Sequence, residues 1–135
     1  MASYLADTSA WNRSTSVADR WAELLEANDV AICTPVRLEL LYSARGRREF
    51  KALGEDLARL PYLSLDRHVA GLAERSQIAL AETSQHRGPK PTDLLIAAIA
   101  EASGVKVLHY NRHFDAIARV TGQPTEWLAH PGSLD

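Results

Sequence analysis

Pro91–Tyr110 reads PTDLLIAAIAEASGVKVLHY, and its punctuation decides the fold. The spacing predicts a helix capped by Thr92 and running through DLLIAAIAEAS, apolar nearly all round and therefore buried on more than one side. Gly104 ends it, because glycine adopts the left-handed conformation of a helix stop without a Cβ penalty. VKVLHY then reads as a strand. A buried helix feeding an apolar strand is the unit of a parallel sheet covered on both faces.

The same alternation extends outward in both directions. SYLAD is a short strand ending at Asp7, followed by a helical pattern from Val17 to Ala27. DVAICT is a second strand, and Thr34-Pro35 opens a helix through Tyr42, since proline at the first helical position gives up no needed hydrogen bond. A basic run, ARGRREFK, leads into a further helix through LGEDLARL that Pro61 stops. YLSL is a strand, Asp66 caps a long helix, and QHRGPKP is a loop. FDAIARVT gives a short last helix and TEWL an edge strand. The reading is one three-layer α/β/α domain over residues 1–135 with a central parallel sheet.

Composition excludes several classes. The single cysteine, Cys33, rules out disulfide frameworks and Cys-based zinc sites within one chain, and its place in VAIC suits a small buried hydrophobe. No stretch approaches the ~20 apolar residues of a membrane span and no leader-like segment opens the chain, so a soluble cytoplasmic protein is expected. A net charge of −2 does not advertise nucleic-acid binding. Carboxylates gathered around metal ions would nevertheless carry negative charge where substrate phosphate binds, and the cations reverse the local sign.

Ligands of open parallel sheets gather beyond the carboxyl ends of the strands. Asp7 lies at the end of the first strand, Glu39 early in the helix after the second, and Asp93 at the start of the buried helix. The Asn111–Asp115 loop leaves the VKVLHY strand. Singly, Asp7 and Asp93 read as helix-end carboxylates favoured by capping and the helix dipole. Glu39, among Leu38, Leu40 and Leu41, reads as a buried charge in need of a partner, with Arg37 pointing elsewhere. Together the three converge on one sheet edge, and hard oxygen ligands favour Mg²⁺ or Mn²⁺ and phosphoryl chemistry. Thr8 and Ser9 add hydroxyls for a metal-held water or a phosphate oxygen.

YLADTSAW, TPVRLELLYSAR, PTDLLIAAIAEASGVKVLHY and NRHFDAIARVTGQPTEWL resemble successive blocks of a PIN-domain ribonuclease, closest to the VapC toxins of bacterial VapBC toxin–antitoxin pairs. The resemblance covers nearly the whole chain. It implies a Mg²⁺- or Mn²⁺-dependent endoribonuclease, restrained by a VapB-type antitoxin that directs the complex to operator DNA, and commonly a homodimer. Asp7, Glu39 and Asp93 match the first three acids of that family. The fourth block departs: Asn111 and His113 stand where two aspartates are usual, and Asp115 is shifted. One tight and one weak metal position follow from that loss of charge, as does a preference for Mn²⁺ through His113. The runner-up is a PIN-fold protein that binds RNA and antitoxin with little turnover. An aspartyl-phosphate protein is a distant third, because Ser9 occupies the place of its second acid.

Around this site, Arg45, Arg47, Arg48 and Lys51 are candidates to track an RNA backbone, and Arg87 and Lys90 to reach the scissile strand. Trp11 is a candidate to stack on a base or meet the antitoxin. Trp21 and Trp127 fit core positions, and His68 and His86 the surface.

Overall fold

The computed structural model describes residues 1–135. Five strands, β1 (Tyr4–Ala6), β2 (Val30–Cys33), β3 (Tyr62–Leu63), β4 (Lys106–His109) and β5 (Thr125–Trp127), form one sheet in the order β3-β2-β1-β4-β5. Every pairing is parallel, with Leu5 opposite Ala31 on one side and Val107 on the other. Seven helices connect and cover them: α1 (Thr8–Arg13), α2 (Ala18–Glu26), α3 (Thr34–Tyr42), α4 (Arg47–Leu57), α5 (Arg67–Ala81), α6 (Pro91–Ser103) and α7 (His113–Thr121). The three-layer α/β/α architecture expected from the alternation is present, and TEWL supplies an edge strand as expected.

Side-chain alternation along the strands divides the core. Leu5 and Val107 enter the larger apolar cluster with α3, α5, α6 and α7, while Ala6, Val30 and Leu108 join Ala10 and Trp21 of α1 and α2 on the opposite face. Helix α6 buries Leu94 and every residue from Ile96 to Ala100, as an all-round apolar helix must. Gly104 ends it at φ 69°, the left-handed stop. Asp66 caps α5 by accepting from the Val69 N–H at 2.9 Å. Cys33 is buried and unpaired. No helix is long and apolar enough to cross a membrane.

His109, the last residue of β4, is buried inside the protein against the Phe114 and Trp127 rings, with centroids at 5.1 and 4.9 Å. Its Nδ1 accepts from the Asn111 N–H at 3.2 Å, so the ring is neutral with its proton on Nε2, which has no partner. Burial depresses its pKa from 6.5 to about 4, and nearby Asp115 offsets this only in part. The unfolded chain therefore binds a proton that the fold refuses, and stability falls as pH drops below the unfolded value. Between pH 6.5 and 5 this costs roughly 1.5 kcal/mol. Urea unfolding of the parent and of His109→Asn at both pH values isolates the effect from other titrating groups. The parent loses the larger amount on acidification, and equal losses contradict the assignment.

Candidate functional site

The strand order reverses between β1 and β4, and a crevice opens beyond their carboxyl ends. β1 stops at Ala6, one residue earlier than the sequence suggests, but the Asp7 N–H extends the pairing to the Leu108 carbonyl at 2.9 Å. Asp7 is also the N-cap of α1. Its Oδ2 accepts from the Ser9 N–H at 3.0 Å and the Ser9 hydroxyl at 2.6 Å. The Ser9 oxygen in turn accepts from the Tyr110 N–H at 2.9 Å. A donor relay from the exit of β4 thus fixes the carboxylate at the end of β1.

Asp93 reaches the same crevice from the start of α6. Thr92 is not the cap: Pro91 takes the first helical position, Lys90 becomes the N-cap, and Asp93 Oδ2 accepts the Lys90 N–H at 2.9 Å. Glu39 differs from expectation as well. It is exposed rather than buried, because α3 turns Val36, Leu40 and Leu41 inward and carries Leu38, 63% exposed, outward with it. Its Oε1 accepts from the Thr8 hydroxyl at 2.9 Å.

These groups line a cavity of about 200 Å³ without an apolar side chain. Asp7, Glu39 and Asp93 face it with Thr8 and Ser9, and Asn12, Arg13, Lys90 and Asn111 complete the wall. The pKa of Asp7 is raised by burial, which the Ser9 hydrogen bonds counter. That of Asp93 is raised by burial first, then by the charges of Asp7 and Glu39, with the Lys90 N–H and His113 opposing. Desolvation therefore outweighs mutual repulsion. The chain's ion pairs, Arg13–Asp135, Arg20–Glu126, Arg59–Asp56 and Lys106–Glu126, leave all three acids without a basic partner.

The fourth-block loop divides. Asn111 lines the cavity, its Oδ1 accepting from the His113 N–H at 3.0 Å. His113 stands at the flank, facing the loop before α6, where a Cβ added at Gly88 would meet its Nδ1 at 3.5 Å. Asp115 turns away, its carboxylate accepting from Trp127 Nε1 at 3.2 Å. It is the third residue of α7, and Trp127 is half-buried rather than a full core residue. Trp11 is half-buried, edge-on to buried Trp21 at 4.9 Å, which is internal packing rather than a base platform. Arg45, Arg47, Arg48 and Lys51 are exposed around the start of α4 and none lines the cavity, whereas Lys90 does. Arg87, His68 and His86 are exposed. The sequence reading missed Asn12 and Arg13. With Ser9 they stand at i, i+3 and i+4 on α1, one helical face, and that spacing was the available signal.

The donor set suits a hard divalent cation. Two buried carboxylates without a counter-charge, and a third acid beside them, supply oxygen ligands only. Each acid has one oxygen engaged by a protein donor and one without. They line one wall without having closed together, since no three His, Cys, Asp or Glu side chains stand near enough to share an ion.

Comparison with known proteins agrees with the geometry. The PIN domain family model matches residues 4–120. The chain is 41% identical to ribonuclease VapC18 of Mycobacterium tuberculosis H37Rv, covering 97% of this chain and 98% of that protein. It is 42% identical to ribonuclease VapC2 of M. tuberculosis CDC 1551, covering 94% and 93%. In fold it is similar to the crystal structure of DNA-bound VapBC from Salmonella typhimurium, with a TM-score of 0.77, 21% identity, and 96% of this chain and 100% of that chain covered.

Raised carboxylate pKa values have a consequence in metal-free solution. The folded protein holds these protons more tightly than the unfolded chain, so stability is lost as pH rises through the folded pKa values. Asparagine keeps an acceptor oxygen for the Ser9 and Lys90 donors while removing the charge. In chelator at pH 7, Asp7→Asn and Asp93→Asn melt at a higher temperature than the parent, and the gap narrows toward pH 4. A lower melting temperature for both variants contradicts this electrostatic picture.

Proposed function

The chain belongs to the PIN-domain family, among the VapC ribonucleases, and from that premise we propose that it is a Mg²⁺- or Mn²⁺-dependent endoribonuclease, the toxin of a toxin–antitoxin pair. The observation that carries the reading is the pair of buried, unneutralised carboxylates, Asp7 and Asp93, on one cavity wall with Glu39. The whole of residues 1–135 acts as one PIN domain in this proposal.

Asp7 and Asp93 would hold the cation directly or through water, with Glu39 completing the acidic wall. When bound, the ion neutralises the clustered charge, lowers the pKa of water and offsets charge developing on the phosphate. Ser9 aims Asp7 by donating to it and counters the rise in proton affinity that burial causes, and the Lys90 N–H does the same for Asp93. Thr8 orients Glu39 through its hydroxyl. Arg13 and Lys90, on the cavity rim, draw the polyanion to a region that three acids would otherwise repel. Asn111 contributes an amide in place of a carboxylate, which supports one firm and one weak metal position. The expected Mn²⁺ preference through His113 has less support, because His113 flanks the cavity instead of lining it.

The partners proposed are RNA as substrate, a VapB-type antitoxin, operator DNA through that antitoxin alone, and a second copy of the chain. A cavity of about 310 Å³ formed by Thr8, Leu38, Glu39 and Tyr42 adjoins the acids, and Leu38 and Tyr42 are 63% and 92% exposed. An antitoxin segment covering them could set a basic side chain among the carboxylates and compete with the metal. One observation favours the runner-up, an RNA- and antitoxin-binding protein with little turnover: the Asp115 carboxylate is taken up by Trp127 and does not supply a fourth acid.

Cleavage of a labelled RNA pool in Mg²⁺ or Mn²⁺ separates the two. The parent cleaves, and Asp7→Asn and Asp93→Asn each lose at least about 100-fold, since even outer-shell partners of a metal are worth 10–100-fold. Variants cleaving at the parent rate remove the acids from the mechanism. A parent that binds RNA without metal-dependent cleavage selects the runner-up.

A further inference from the structure

The largest cavity of the molecule, about 400 Å³, is not the acidic one but its neighbour. The two share Ser9, Arg13 and Asn111 as a common wall, and beyond that wall the chemistry changes from carboxylate to cation and aromatic ring. Arg13 and Arg112 supply the charge, Tyr110 and Trp127 the rings. The Arg13 guanidinium lies over the Tyr110 ring, 4.6 Å from its centroid. Stacking occupies the flat face of a guanidinium and leaves its in-plane N–H groups free for an oxyanion. One such group already has an anion near it: Nη2 stands 3.8 Å from Asp135 Oδ1, with the two side chains 37% and 64% exposed. A pair that long and that open to water is weak and readily exchanged.

The rings are held in place from behind. Tyr110 meets Trp127 edge-on at 5.4 Å, its hydroxyl accepts from the Leu134 N–H at 2.9 Å, and Trp127 donates to Asp115. A rigid aromatic wall beside two arginines is the chemistry that single-stranded nucleic acid requires, because a cation meets the backbone and a ring meets the base. The three acids repel a polyanion, and an adjoining cationic pocket adds to the attraction of Arg13 and Lys90 at the acidic cavity.

We propose that this pocket binds the RNA nucleotide next to the scissile phosphate, with Arg13 and Arg112 holding its phosphodiester in place of Asp135 and the half-buried Trp127 ring, backed by buried Tyr110, packing on its base. The inference rests on the ribonuclease reading above and assigns to Arg13 the placement of the strand relative to the acids. Arg13 suits that role because it alone of the basic residues borders both cavities.

The test is fluorescence anisotropy with a 5′-fluorescein-labelled single-stranded oligoribonucleotide of mixed sequence, over a salt series. Binding is measured in the Asp7→Asn background so that turnover does not intrude. Arg13→Gln weakens binding roughly tenfold or more and lowers the salt slope by about one, as loss of a charge-assisted phosphate contact does. Arg112→Gln acts in the same direction. Arg59→Gln, an equal loss of charge in the turn after α4, leaves affinity and slope unchanged. If the background protein binds RNA and the Arg13 and Arg112 substitutions match the Arg59 control, the pocket is not the subsite and the ribonuclease reading stands. If the background protein does not bind RNA at all, both fall together.

Discussion

Two carboxylates at the ends of a parallel sheet, largely out of water and without a basic side chain against them, are the constraint on which the rest of the site depends. Burying a charge unpaired is costly, and a fold tolerates it only where something else repays it. Here the repayment is partial. Ser9 donates twice to Asp7, and the Lys90 N–H donates to Asp93. Those bonds orient the carboxylates and hold down their proton affinity, yet both pKa values remain above the ordinary range. The protein keeps a deficit of positive charge at a defined place, and a hard divalent cation is the ligand that removes it.

The topology explains why the deficit lies where it does. The strand order turns at β1 and β4, so the segments leaving these strands part to opposite sides and leave a crevice. Asp7 enters it as the first residue past β1 and Asn111 as the second past β4, and α6 brings Asp93 by burying Leu94 and Ile96 to Ala100 behind the sheet. The Ser9 hydroxyl bridges the two exits, from Tyr110 to Asp7. The same α1 turn carries Arg13 to the border of the neighbouring pocket. Acid wall and cationic wall are therefore set by a single short helix, which is how a polyanion could be gripped beside carboxylates that repel it.

The sheet and the positions of Asp7 and Asp93 were legible because their signals are local: an apolar run ending in an acid, and a proline and an acid opening an apolar helix. The errors have equally local causes. Thr92 looked like the cap because Thr commonly is, but Pro91 already occupies the first helical turn and moves the cap to Lys90. Glu39 looked buried because leucines surround it in sequence, but helical geometry sends Leu38 and Glu39 outward while Leu40 and Leu41 face in. The hydrogen bond between Asp115 and Trp127 joins two elements, α7 and β5, and no spacing rule announces it. Trp11, similarly, is explained only by the ring of Trp21 on the following helix. Arg13 was within reach of sequence reasoning through its i+4 relation to Ser9, but its stacking on Tyr110 required the fold.

The most direct test of the account is calorimetric titration of Mg²⁺ and Mn²⁺ into the metal-free protein, alongside Asp7→Asn and Asp93→Asn. If the buried carboxylates are the deficit described here, the parent binds at one firm position, the affinity falls as pH drops and the acids take up protons, and each substitution abolishes the firm position. Binding of equal affinity and stoichiometry in all three proteins, or none in the parent, contradicts the central claim.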